Sequence, residues 1–230
     1  MELRLLQAEA DRRTFARRLS EVRMMRGAGF SETRRSVIGE VHLAFGNLYG
    51  LFDETELIPE MIGGFAMHDL AMFSQSYPKP DLTHLPPDKV FECGELWAMA
   101  AGAGRLLRHA GAIIAGMFEA RALLVYPIFK PWNLSGGYKS FARAGEPIEW
   151  PYACTLDSRK IYVQPMVLEG EALSAWIAEA EQYGFEFLDG GTRLRFDTPF
   201  AISSKRLDAR GRGGIITLPT PAGVRKLDAA

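Results

Sequence analysis

The sequence predicts an α/β (α+β) architecture, a mixed and twisted sheet flanked by helices, and three observations carry that expectation. The run Val90–Trp97 is apolar and bulky on both faces except at Glu92 and Glu95, the pattern of a central strand covered on both sides. Ala100-Ala101-Gly102-Ala103-Gly104 has almost no side-chain bulk and opens the helical stretch Arg105–Glu119. Ala122–Ile128 is again a short continuous apolar run. Strand, helix and strand in this order imply a parallel crossover, with a ligand crevice at the carboxyl ends of the strands.

From the amino terminus, Glu2–Gln7 suits a short first strand. Ala10–Ala28 has helical spacing, with Phe15, Leu19 and Val22 on one face. Val37–Phe45 and Met61–Phe73 are strand-like, and Gly46-Asn47 and Asp53–Pro59 are expected turns. His42 and His68 fall on these strands. Ser76–Asp88 carries four prolines and is expected to be a loop. After Ile128, Leu134–Ala144 suits a helix, and Glu146–Thr155 and Lys160–Glu169 suit a hairpin. Gly170–Tyr183 has helical spacing through Leu173, Trp176, Ile177 and Ala180. Asp189-Gly190-Gly191 between Phe185–Leu188 and Thr192–Phe196 signals a second hairpin. Ser203–Gly214, basic and rich in glycine, suits an extended arm. We expect a main domain over residues 1–169 and a helix–hairpin extension with a basic tail over 170–230.

The composition is that of a globular protein: 47% hydrophobic, 24% charged, formal net charge −1. A near-neutral chain without interleaved exposed aromatics gives no reason to expect nucleic-acid binding. With two cysteines, Cys93 and Cys154, no pairing of Cys with His suggests a metal. Cys93 reads as a small buried filler. The cysteine usage and the polar start Met1-Glu2-Leu3-Arg4 point to the cytoplasm. Arg105, Arg108 and His109 interrupt the apolar helix, so no membrane span is expected. The local exception to neutrality lies between Arg12 and Arg35, with eight arginines against Glu21 and Glu32. It reads either as a solvated helix face or as a docking patch for an acidic partner.

Phe91-Glu92-Cys93-Gly94-Glu95-Leu96-Trp97-Ala98-Met99, followed by Gly102-Ala103-Gly104, resembles the cofactor-binding core of the GNAT acyltransferase superfamily. Within it, the run is most similar to long-chain N-acyl amino acid synthases and acyl-homoserine-lactone synthases. The resemblance covers roughly residues 1–169. It implies that Val90–Trp97 and Ala122–Ile128 splay apart to hold a pantetheine arm. It implies an acyl donor, acyl-coenzyme A or acyl-phosphopantetheine on an acyl carrier protein, and a small amine acceptor. Trp97, Met99, Gly102, Ala103, Gly104 and Arg105 would then contact the donor, Arg105 and Arg108 would keep an anion-friendly helix start, and the basic Arg12–Arg35 region would suit a carrier protein.

Attack of an amine on a thioester needs a proton acceptor, an oxyanion site and a proton for the leaving thiolate. Glu92 holds the glutamate position of the synthase-like run and is the first candidate base. Glu95 stands where an arginine is expected and is the second, with His68 as a further choice. An offset of three predicts opposite faces for Glu92 and Glu95. For either, an ion pair with an arginine is the structural reading. Met99 replaces the usual polar loop residue, and Phe141 stands where a tyrosine often protonates the thiolate. Tyr138 is the nearest phenol. A non-catalytic acyl- or partner-binding protein on the same fold is the competing expectation.

Overall fold

A computed structural model describes residues 1–25, 28–30, 46–54, 57–71, 80–129, 137–155, 160–182, 184–189, 192–196 and 203–206. In chain order these form β1 (Glu2–Leu5), α1 (Glu9–Met25), β2 (Ala28–Phe30), β3 (Asn47–Asp53), β4 (Glu60–Asp69) and β5 (Val90–Ala98). Next come β6 (Ala100–Ala101), α2 (Ala103–Met117), β7 (Ala122–Val125), β8 (Ala142–Arg143), β9 (Ile148–Thr155) and β10 (Lys160–Val163). The last are β11 (Met166–Glu169), α3 (Gly170–Glu181), β12 (Phe185–Leu188), β13 (Arg193–Phe196) and β14 (Ser203–Arg206).

One sheet of nine strands organises these residues, in the order β12-β13-β1-β3-β4-β5-β7-β11-β8. Its pairs are antiparallel except β5 with β7. This is the mixed sheet expected, with a single parallel pair in its interior. The hairpin β12–β13 joins it beside β1, so the described part of 185–196 is built onto the same sheet. A smaller sheet, β10-β9-β2, stands apart from it.

The sheet is covered on both faces. On one, α2 and α3 pack Leu106, Leu107, Ile113, Ile114, Leu173 and Trp176 against Phe65, Met67, Cys93 and Leu123. Burying each of these larger aliphatic side chains stabilises the fold by about 1.5–3 kcal/mol. On the other face, α1 lays Phe15 and Val22 over Leu48, Ala66 and Trp97, and the Phe15 and Trp97 rings meet edge-on at 5.7 Å. The stripe expected from the spacing of Phe15, Leu19 and Val22 is the buried one. Gly64 makes the close approach possible: a β-carbon there would lie 2.5 Å from the Tyr49 carbonyl oxygen and 2.6 Å from Phe15 Cε2.

Several elements differ from expectation. The strand expected over Val37–Phe45, with His42, lies outside the described residues, and so do 72–73 of the strand expected over Met61–Phe73 and 76–79 of the expected loop. Asn47, expected in a turn, begins β3, which burial between β1 and β4 holds extended. Within the helix expected over Leu134–Ala144, residues 138–144 are not helical. Ala142–Arg143 instead pair with Met166–Val167, so a free strand edge outcompetes a weak helical preference next to Gly136-Gly137. The strand expected over Lys160–Glu169 breaks at Gln164-Pro165. Proline offers no N–H to a ladder, and Gln164 Nε2 fixes the bend by donating to the carbonyls of Gly145 (2.7 Å) and Pro165 (3.1 Å). The halves enter different sheets as β10 and β11. Helix α2 starts at Ala103 rather than Arg105, capped by Gly102 at φ +85°.

Candidate functional site

The parallel pair β5–β7 holds only through Val90–Ala122, Phe91–Leu123 and Glu92–Leu124. Beyond Glu92 the strands part, and both sides show why. On β5 the register with β4 passes from Gly94–Ala66 to Trp97–Gly64, so Glu95 and Leu96 together face Phe65. This is a β-bulge, with Glu95 at φ +53°. On the other side, the chain after Val125 leaves for the smaller sheet. Gln164 N donates to the Pro127 carbonyl (2.9 Å), Phe129 N donates to the Tyr162 carbonyl (2.8 Å), and Ile128 bridges Val163. One strand is pulled towards β4 and the other towards β10.

Between them opens a cleft of about 210 Å³, lined by Glu92–Trp97 on one wall and Val125–Ile128 on the other. Val22 and Arg23 of α1, Arg108 of α2, Tyr138, Trp150 and Val163 complete it. The splayed pair expected between Val90–Trp97 and Ala122–Ile128 is therefore present, with Ala122–Val125 as the regular part of the second strand.

Two carboxylates line this cleft. Glu92 is 4% exposed and is the cross-strand partner of His68, whose Nε2 lies 3.6 Å from Glu92 Oε2. Glu95 forms an ion pair with Arg23, whose guanidinium sits 4.6 Å from the Trp150 ring centre. Strict alternation would have put the two glutamates on opposite faces. The extra residue of the bulge breaks the alternation, and both line the same cleft. Cys93 points at α2, its Sγ 3.4 Å from where a β-carbon on Gly111 would lie. Burial and the neighbouring Glu92 push its thiol up to about 12, against the pull of Arg108, so it is neutral at pH 7. It is the buried filler that was expected.

Of the residues singled out in the sequence, Glu92, Glu95, Trp97 and Tyr138 line the cleft. His68, 3% exposed, stands behind Glu92 rather than in the wall. Met99 packs with the α1 core. Gly102, Ala103, Gly104 and Arg105 form the start of α2 and lie outside the cleft lining; Arg105 is exposed and pairs with Glu179 at 3.1 Å. Arg108, expected with Arg105 at an anion-friendly helix start, reaches into the cleft lining; the sequence reading did not place Arg23 or Trp150 there. The available signal for Arg108 was its place within an apolar helical stretch, between Leu107 and Ala110.

The arginines of α1 are largely engaged within the fold. Arg12 donates to the carbonyls of Leu6 (3.0 Å) and Gly46 (2.9 Å). Arg13 pairs with Glu9, Arg17 with Glu21 (2.7 Å), and Arg18 with Glu21 and Glu60 (3.1 Å each). Arg26, Arg34 and Arg35 lie outside the described residues. Among the described residues, no group of three or more His, Cys, Asp and Glu could hold a metal, and no helix is long and apolar enough to cross a membrane.

No protein-family model matches the sequence, and no curated protein matches it. Solved structures do resemble it. FeeM, an N-acyl amino acid synthase from uncultured soil microbes, superposes with a TM-score of 0.53 at 12% identity, over 80% of this chain and 99% of that one. A candidate phosphinothricin N-acetyltransferase gives 0.50 at 15% identity, over 74% and 98%. At these identities the likeness is one of fold, and the chain has the fold of the GNAT acyltransferases.

Proposed function

We propose that this chain is an N-acyltransferase that moves an acyl group, from coenzyme A or an acyl carrier protein, to an amine such as an amino acid. The observation that carries the reading is the parting of β5 and β7 at Glu92, which sets a buried carboxylate in the cleft wall. Past Glu92, β5 has no strand partner on the β7 side among the described residues, so its backbone groups there can be satisfied by the amides of a pantetheine arm. Val22, Leu96, Val125, Pro127, Ile128 and Val163 give the cleft an apolar share, which suits the chain of a long acyl group. The resemblance in fold to an N-acyl amino acid synthase supports the same reaction class.

In this reading the amine nitrogen attacks the thioester carbonyl carbon, and its proton passes to Glu92. The tetrahedral intermediate collapses with cleavage of the C–S bond, and the thiolate leaves. Tyr138, also in the cleft lining, is the candidate proton donor to that thiolate. His68 packs behind Glu92, its Nε2 3.6 Å from Oε2, and limits where the carboxylate can turn.

The ion pair between Arg23 and Glu95 favours a second reading, a protein that binds an acyl ligand without turnover. One experiment separates them. Purified protein is incubated with dodecanoyl-coenzyme A or dodecanoyl carrier protein and a panel of amino acids, and free thiol and N-acyl product are quantified. Amide and thiol formed in equal amounts support transfer. Acyl ligand seen by native mass spectrometry with no amide from any acceptor supports binding alone.

A further inference from the structure

We infer that Arg108 is an oxyanion-binding residue of the cleft, placed to hold a carboxylate or phosphate carried by the bound ligand. The inference rests on the acyl-transfer reading and adds to it a charged anchor inside the cleft itself. Arg108 projects from the second turn of α2 into the cleft lining. Its guanidinium carbon lies 5.3 Å from the centre of the Tyr138 ring. A β-carbon on Gly137 would lie 3.4 Å from its Cζ and Nη1, so the missing side chain there makes its seat.

What distinguishes Arg108 is its lack of an anionic partner among the described residues. The other arginines of the site and its surroundings, Arg23 and Arg105, are ion-paired. Arg108 forms no ion pair among the described residues, and its Nε is buried without a hydrogen-bond acceptor there. An N–H withdrawn from water without an acceptor is costly, and the half-buried guanidinium leaves its remaining N–H groups for a ligand. Glu92 shares the cleft, yet it is matched to His68 and not to Arg108. A cation and a carboxylate kept apart in one cleft complement a ligand bearing both charges, or a donor whose own oxyanion reaches α2. The fork of Arg108 matches a carboxylate or phosphate in a two-point contact that a lysine cannot reproduce.

The source of the oxyanion, acceptor carboxylate or donor phosphate, is separated by the probes. Dissociation constants are measured calorimetrically for coenzyme A, N-octanoylglycine and its uncharged counterpart N-octanoylethanolamine, with the wild-type protein, Arg108→Met and Arg108→Lys. If the acceptor supplies the oxyanion, the wild type prefers N-octanoylglycine over N-octanoylethanolamine by about tenfold or more, as expected for a hydrogen bond to a charged group. Arg108→Met then abolishes the preference and Arg108→Lys keeps part of it. If the donor supplies it, coenzyme A binding weakens about tenfold in Arg108→Met, and inorganic phosphate competes with coenzyme A in the wild type.

The wild-type measurements stand even if a variant fails to fold. Binding of the probes by the wild type with no charge preference, no competition by phosphate and no change on substitution overturns the role of Arg108 while leaving the acyl-transfer reading in place. Failure of the wild type to bind any of the three probes overturns both.

Discussion

Arg23 on the first helix and Glu95 on the bulge of β5 are joined in an ion pair across 72 residues of sequence. The pair is mostly withdrawn from solvent, with side-chain exposures of 15% and 7%. It ties α1 to the wall of the cleft where that wall bends. We expect Glu95→Gln and Arg23→Met each to destabilise the protein by about 1–3 kcal/mol, because each leaves a shielded charge unmatched. A double-mutant cycle by urea unfolding should give a coupling of about 0.5–3 kcal/mol. Additive single effects would show that the two side chains act independently.

Gly64 should tolerate no side chain. Its β-carbon position lies 2.5 Å from a backbone oxygen, which cannot rotate away, as well as 2.6 Å from the Phe15 ring. We expect Gly64→Ala to lower stability by about 1–3 kcal/mol, read as a fall in the thermal midpoint. An unchanged midpoint would mean that α1 does not pack as closely on β4 as described.

His109 makes stability depend on pH. It is stacked on Trp176, with ring centres 4.7 Å apart, and Glu179 lies 3.7 Å away. Burial lowers its pKa to about 4, Glu179 opposes this, and Arg105 and Arg108 add to it. Because the folded protein binds this proton less readily than the unfolded chain, stability is full above pH 6.5. It falls as the pH drops from there towards about 4. We expect denaturant midpoints between pH 7 and pH 4.5 to fall less in His109→Phe than in the wild type. Equal slopes would remove His109 from the acid response.

If the donor is a carrier protein, the outer face of α1 is where its acidic surface would dock. Arg13 and Arg17 are the most exposed of the paired α1 arginines, at 78% and 59%. Their pairs are surface pairs within one helix, worth little and easily exchanged. Arg13→Glu with Arg17→Glu should weaken the use of acyl carrier protein, more at low salt, and leave the use of acyl-coenzyme A unchanged. Equal kinetics with both donors would exclude this face.

Much of this arrangement was legible in the chain. Apolar runs at Val90–Trp97 and Ala122–Ile128 have a local signature, because strands buried on both faces admit few polar residues. The stripe of Phe15 and Val22 is equally local. The bulge was not legible, since the sequence around Glu95 contains nothing that forces an extra residue into the ladder. Without it the joint placement of Glu92 and Glu95 in one cleft could not be foreseen. The break at Gln164-Pro165 and the pairing of Ala142–Arg143 depend on partners far along the chain, where sheet pairing overrides local preference. Arg108 was read only as a cation favouring an anion at the helix start, because its entry into the cleft depends on how α2 packs on β5.

The central claim, acyl transfer with Glu92 as the base, is tested most directly by comparing wild type with Glu92→Gln on the same donor and acceptor. The substitution keeps shape and hydrogen bonding and removes proton acceptance. We expect kcat to fall about 100- to 10,000-fold, with donor binding little changed. Full turnover by Glu92→Gln, or no amide formed by the wild type from any donor and amine, would contradict it.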